Sequence, residues 1–180
     1  MFVEDKSVDG QTFVEECVLE TDLELLIPDD YVNQVAERLM LYQQLDSAKD
    51  QATLDKYKAG LEDRFGPIPA VVEELIKSIE LRWLAKSIGF EKLVIKSNKM
   101  IGYFVSKKDS PYYQSSFFTQ VLSFIQTNPA DVKMNERNQK LRLIYAKVNS
   151  ISEAIRHLER IGISLPKVET VEVESEEEEN

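Results

Sequence analysis

Cysteine occurs once in 180 residues, as Cys17, and histidine once, as His157. A single thiol excludes an internal disulfide framework and fits a reducing cytosol, so a cytoplasmic location is expected. The two residues stand 140 positions apart, with Cys17 in what reads as a linker. No zinc-ligand spacing can be assembled from them. Glycine is also scarce, at positions 10, 60, 66, 89, 102 and 162. None of the six builds a G-x-G-x-x-G fingerprint or a glycine-rich loop ending in Gly-Lys-Ser/Thr. The chain therefore carries no nucleotide-phosphate cradle or ATPase motif, and no cofactor is expected. No apolar run approaches the ~20 residues that cross a bilayer. Acids near the start, with no apolar stretch after a basic opening, give no reason to expect a secretory leader.

What the chain does have is charge in the wrong places for an average to describe. The net charge is −10. Residues 1–22 hold seven acids and one lysine, and residues 168–180 hold seven glutamates and no base. The body between them, 23–167, carries 21 bases and 18 acids, a surplus of +3. That surplus is too small to assert nucleic-acid binding, and the overall acidity repels polyanions at long range. Residues 1–21 read as a linker or flexible arm, 22–165 as a single α+β domain, and 166–180 as an acidic tail whose like charges keep it disordered.

Hydrophobic periodicity organises the body. Leu23, Leu25 and Ile27 alternate as a short strand ended by Pro28. Asp29 or Asp30 can cap a helix over about 31–45 with an apolar stripe of Val32, Val35, Ala36, Leu39 and Tyr42. Helices follow over about 53–65 and 69–88, the latter opened by Pro69 and closed by Gly89. Runs at 93–95 and 101–105 predict a hairpin turning at Asn98-Lys99. A helix over 115–126, a second hairpin about Asn138 and a last helix capped by Ser150 and Glu153 complete the chain. The order β-ααα-ββ-α-ββ-α predicts an antiparallel sheet of two hairpins plus an N-terminal strand, with helices packed on it.

One corner stands out, at Leu61-Glu-Asp-Arg-Phe-Gly-Pro-Ile-Pro69. It is the last turn of one helix, a glycine stop and a proline-started second helix. At 100° per residue, Leu54, Tyr57, Leu61 and Phe65 form one inward stripe, and Asp63 falls about 180° from Leu54. Gly60, Asp63 and Arg64 then share one outward patch. A mid-helix glycine and an aspartate in the last turn are both locally unfavourable, a sign of a surface used for something beyond the fold. Neutralisation of Asp63 by Arg64, or capping of the final carbonyls by Arg64, would explain the pair without function.

Together with Asp22-Leu-Glu-Leu-Leu-Ile-Pro-Asp-Asp-Tyr-Val32 upstream and Leu81-Arg-Trp-Leu-Ala-Lys86 downstream, the corner resembles the C-terminal domain of the bacterial transcription-repair coupling factor, over roughly residues 20–165. That family is an ATP-driven DNA translocase acting on stalled RNA polymerase. The resemblance implies a non-catalytic regulatory domain, with the ATPase motifs elsewhere in a longer parent. It further implies that the Asp-Arg matched by Asp63 and Arg64 docks onto an N-terminal domain of the same chain, masking recruitment of the excision-repair damage sensor. Gly60 departs from the family, which often has glutamate there. Two alternatives stay open. Lys92, Lys96, Lys99, Lys107 and Lys108 around the first hairpin, beside Tyr112 and Tyr113, could contact nucleic acid. Asp29, Asp30 and His157 could form a small hydrolytic site if they converge.

Overall fold

The structure is a computed structural model and describes residues 13–164. The first twelve residues of the expected arm and the expected acidic tail lie outside the described residues. The elements are β1 (Val18–Thr21), α1 (Val35–Asp46), α2 (Gln51–Phe65), α3 (Ala70–Ile88), β2 (Phe90–Lys96), β3 (Lys99–Phe104), a 3-10 turn (Pro111–Gln114), α4 (Ser116–Thr127), β4 (Val132–Arg137), β5 (Lys140–Tyr145) and α5 (Ile151–Ser164). The α+β class holds. The five strands form one sheet in the order β1-β2-β3-β5-β4.

Both hairpins close with two-residue loops whose residues are left-handed, Ser97 and Asn98 at φ 52° and 61°, Asn138 and Gln139 at 52° and 63°. Such loops match the twist of the strands they join. The first turn sits one residue earlier than the sequence suggested, and there the Asp22 carboxylate accepts the Ser97 amide at 2.9 Å.

The N-terminal strand differs from expectation. It is Val18–Thr21, upstream of the predicted segment, and it pairs parallel with β2, so the sheet is mixed. Residues 13–21 accordingly enter the fold: Val14 and Cys17 are buried in the sheet core. The alternation at 23–27 is real but serves another purpose. Leu23 packs on the sheet core, Leu25 on both cores and Ile27 in the helical core, so the segment crosses between them and pairs with no strand.

There are indeed two cores. The first lies between the sheet and α3, α4 and α5; the second lies among α1, α2 and α3. Helix α3 spans both, giving Val72, Leu75, Ile76 and Ile79 to the helical core and Leu81, Ala85 and Ile88 to the sheet core. A 19-residue helix is about 28 Å long, enough to serve two neighbours in series. Glu74 of α3 also holds the start of α5, accepting from the Ile151 amide at 2.8 Å and the Ser152 hydroxyl at 2.5 Å. The Ser150 cap is as expected, its hydroxyl accepting from the Glu153 amide at 3.0 Å.

Helix α1 is the second correction. It starts at Val35, and neither Asp29 nor Asp30 caps it; its N-cap is Gln34, whose side chain makes no capping bond. The turn before it is closed instead by Arg38, whose guanidinium donates to the Val32 and Asn33 carbonyls at 2.7 and 3.1 Å. The covered side of the helix is not the expected stripe. Leu41 and Leu45 are buried, whereas Val35, Leu39 and Met40 are 62%, 57% and 60% exposed.

Candidate functional site

The corner is built from three helices. Asp50 caps α2, accepting from the Thr53 amide and hydroxyl at 2.7 Å each. These bonds hold the Asp50 carboxyl below its ordinary value. Leu54 and Leu61 are buried and Tyr57 and Phe65 are half-buried, as the predicted stripe requires. Tyr57 donates its hydroxyl to the Leu41 carbonyl at 3.0 Å, and burial pushes its ionisation up to about 12. The helix stops at Gly66, at φ 85°, and α3 begins after Pro69. Lys58 of α2 meets Glu73 in the first turn of α3 at 3.1 Å, so charge as well as packing sets the angle between them.

Tyr31 is the part of the corner that sequence reasoning missed. Its hydroxyl donates to the Gly66 carbonyl at 2.9 Å and to the Leu61 carbonyl at 3.3 Å, and its ring lies 5.8 Å from that of Phe65. The Asp-Asp-Tyr-Val segment and the nine-residue corner are thus one physical unit. A tyrosine two residues past a Pro-Asp turn was the signal available.

Gly60, Asp63 and Arg64 are all exposed, as predicted. They do not act as one neutralised pair. Arg64 forms an ion pair with Glu37 of α1, and its guanidinium lies 4.8 Å from the Phe65 ring centre. Asp63 has no ion-pair or hydrogen-bond partner among the described residues. Gly60 has nothing within 4 Å of the place a Cβ would take. The corner therefore presents a free carboxylate, a fixed guanidinium and a bare helical step.

The alternative residue sets fare differently. Lys92 and Lys96 both pair with Glu20, at 2.9 and 3.6 Å, and Lys108 pairs with Glu136 at 3.3 Å. Of the five lysines proposed for nucleic acid, Lys99 and Lys107 alone lack an ion pair among the described residues. Tyr112 is fully buried and Tyr113 half-buried, both in the sheet core, so neither offers a stacking platform. His157 lies on α5 with its ring 4.6 Å from that of Tyr145. Burial, then the nearby Arg160 and Arg156, lowers its proton affinity. Asp29 and Asp30 are exposed before α1, between Ile27 and Val32 of the helical core, whereas His157 packs on Tyr145 of the sheet core, and no contact among the described residues joins them. The hydrolytic set does not converge. Cys17 is buried beside the sheet, its thiol pushed up to about 12 by that burial. Among the described residues no group of His, Cys, Asp and Glu could hold a metal ion, and no helix is long and apolar enough to cross a membrane.

These features define an α+β domain of two cores strung on one long helix, with a charged helical corner as its distinctive surface. The TRCF domain family matches residues 21–115, more than half the chain and the whole of the corner. The chain belongs to that family. It is 26% identical to the transcription-repair-coupling factor of Rickettsia bellii over 125 residues, which is 69% of this chain and 10% of that protein. It is 37% identical to the Escherichia coli transcription-repair-coupling factor over 78 residues, 41% of this chain and 7% of the other. The matched stretches span between 7% and 17% of the length of the curated relatives. The crystal structure of a C-terminal domain of transcription-repair coupling factor superposes with a TM-score of 0.65 at 17% identity, covering 83% of this chain and 91% of that one. That likeness is one of fold.

Proposed function

We propose that this is the non-catalytic regulatory C-terminal domain of a transcription-repair coupling factor, docking through the α2–α3 corner onto an N-terminal domain of the same parent and masking its recruitment of the excision-repair damage sensor. The parent would be an ATP-dependent translocase acting on stalled RNA polymerase in the cytoplasm. The observation that carries this reading is the unpartnered, exposed Asp63 beside an Arg64 fixed by Glu37. A free carboxylate on a rigid corner is available to a cationic partner without first breaking an internal bond. A tether supplies millimolar-range effective concentration, so a small polar contact of this kind is strong enough to gate and weak enough to release.

The test is Asp63→Ala with Arg64→Ala in the full-length parent. Pull-down of the damage sensor should increase. The domain's Tm should fall by no more than about 2–4 °C, because the Arg64–Glu37 pair is exposed and worth about 1 kcal/mol at most. Unchanged sensor capture would remove the docking role.

A further inference from the structure

The open face of the sheet carries a charge that the body's small surplus hides. Register places Lys133 and Arg137 of β4 and Lys140 and Arg142 of β5 on the same face as Lys92, Lys96 and Lys99, away from α3, α4 and α5. Glu20 of β1 is the one acid among these paired positions. The Lys92 end of this face forms an open cleft of about 770 Å³, lined by Tyr103, Arg137, Lys140 and Arg142 and walled by the segment after β3. Within it Glu20 and Glu136 are already paired to lysines, leaving Glu91 as the acid without an ion pair.

Arg142 makes this a built site. Its residue is 9% exposed, and its Nε donates to the Asn135 side chain at 3.0 Å. Its two terminal nitrogens have no partner among the described residues, and Arg142 is one of the residues that line the cleft. A guanidinium held by one edge and free on the other is shaped for bidentate capture of a carboxylate.

We propose that the glutamates of residues 169–179 of this same chain occupy that cleft, with a carboxylate on Arg142. Three observations favour this occupant. The segment supplies seven carboxylates and no base, against a face with six more cations than acids. Helix α5 runs alongside α3 in the same direction, since Glu74 meets its first turn and Leu84 its Gly162. The chain therefore leaves α5 at the end where α3 passes into β2, the end that holds the cleft. Fifteen residues reach up to about 50 Å, several helix diameters, which is ample to round the sheet. A free polyanion meets a chain of net charge −10, whereas a tethered segment is already at millimolar-range concentration.

The experiment compares amide NMR spectra of the whole chain with those of a variant carrying Gln at all seven glutamates of 169–179. Resonances of Tyr103, Lys140 and Arg142 should move, those of Leu54 and Leu61 should not, and about 0.5 M salt should abolish the difference. A synthetic peptide of residues 166–180 should restore the wild-type positions when added to the Gln variant. Arg137→Gln with Lys140→Gln, both at exposed positions, should weaken that peptide at least threefold. Identical spectra for the two chains, or peptide affinity unaffected by the double variant, would overturn the proposal. So would a 15-nucleotide oligothymidylate that shifts the cleft resonances equally in both chains, which would make the face an unguarded nucleic-acid surface.

Discussion

The Tyr112 ring lies so close to Gly89 that a Cβ at that glycine would sit 2.3 Å from the ring's Cζ. The same tyrosine donates its hydroxyl to the neighbouring Ile88 carbonyl at 2.6 Å, satisfying the end of α3. Gly89 itself is left-handed, at φ 113°. Helix end, sheet entry and the turn after β3 therefore meet at one point. Gly89→Ala adds backbone strain and a steric clash at once, each costing about 1–3 kcal/mol. A fall in Tm of about 5–15 °C is expected. Tyr112→Phe keeps the ring and loses the bond, so it should cost less, about 1–2 kcal/mol. Equal stability of Gly89→Ala and wild type in thermal denaturation would contradict this packing.

Tyr31→Phe tests the corner in the same way. The substitution removes the bonds to the Gly66 and Leu61 carbonyls while keeping the ring against Phe65. A loss of about 1–2 kcal/mol in urea denaturation is expected. Because the corner angle relaxes, sensor capture by the parent should rise as it does for the Asp63 and Arg64 variants. Loss of stability with unchanged capture would separate the Tyr31 bonds from docking.

Cys17 should be chemically silent in the folded chain. Its thiol is buried and pushed from 9.0 up to about 12 by that burial. At pH 8 this lowers the thiolate fraction by about 10³, so Ellman's reagent should label the native protein at least that much more slowly than the urea-unfolded one. The same shift sets a direction in pH. The folded state favours the neutral thiol, so its contribution to stability is full below about pH 9 and is lost as pH rises toward 12. Tyr57, also raised to about 12 by burial, acts in the same sense from pH 10 upward. Thermal melts at pH 8 and pH 11 should show lower stability at the higher pH, and rapid native labelling would place Cys17 outside the core.

Much of this architecture was legible because local signals agreed with tertiary demands. The inward stripe of α2, the Pro69 start of α3, the Gly89 stop and the two hairpins all rest on residues whose local preference and burial coincide. The failures have physical causes. The alternation at Leu23, Leu25 and Ile27 marks burial, and burial in two cores looks the same as burial along a strand. Val35 and Leu39 lie at helical spacing yet point outward, since periodicity fixes a stripe but not which side is covered. Cys17 and β1 were hidden within an acidic stretch, because the parallel pairing with β2 spans more than 70 residues and leaves no local trace. At the corner, the outward direction of Asp63 was readable, whereas the partner of Arg64 was not, because Glu37 lies 27 positions away.

Gly60 offers the sharpest test of the corner, because stability and docking should respond differently to two substitutions. A Cβ at Gly60 meets nothing within 4 Å, so Gly60→Ala should stabilise α2 by up to about 1 kcal/mol through helix propensity alone. Gly60→Glu recovers part of that propensity and adds a second carboxylate one turn from Asp63. If the corner docks, Gly60→Glu should tighten it and lower sensor capture by the parent about 2–10-fold, in line with one added charge-assisted contact of about 0.5–1.5 kcal/mol. Gly60→Ala should leave capture within twofold of wild type. The same reduction by both variants would mean that helix stiffness sets the effect. No reduction by Gly60→Glu would place the docking contact away from this side of α2.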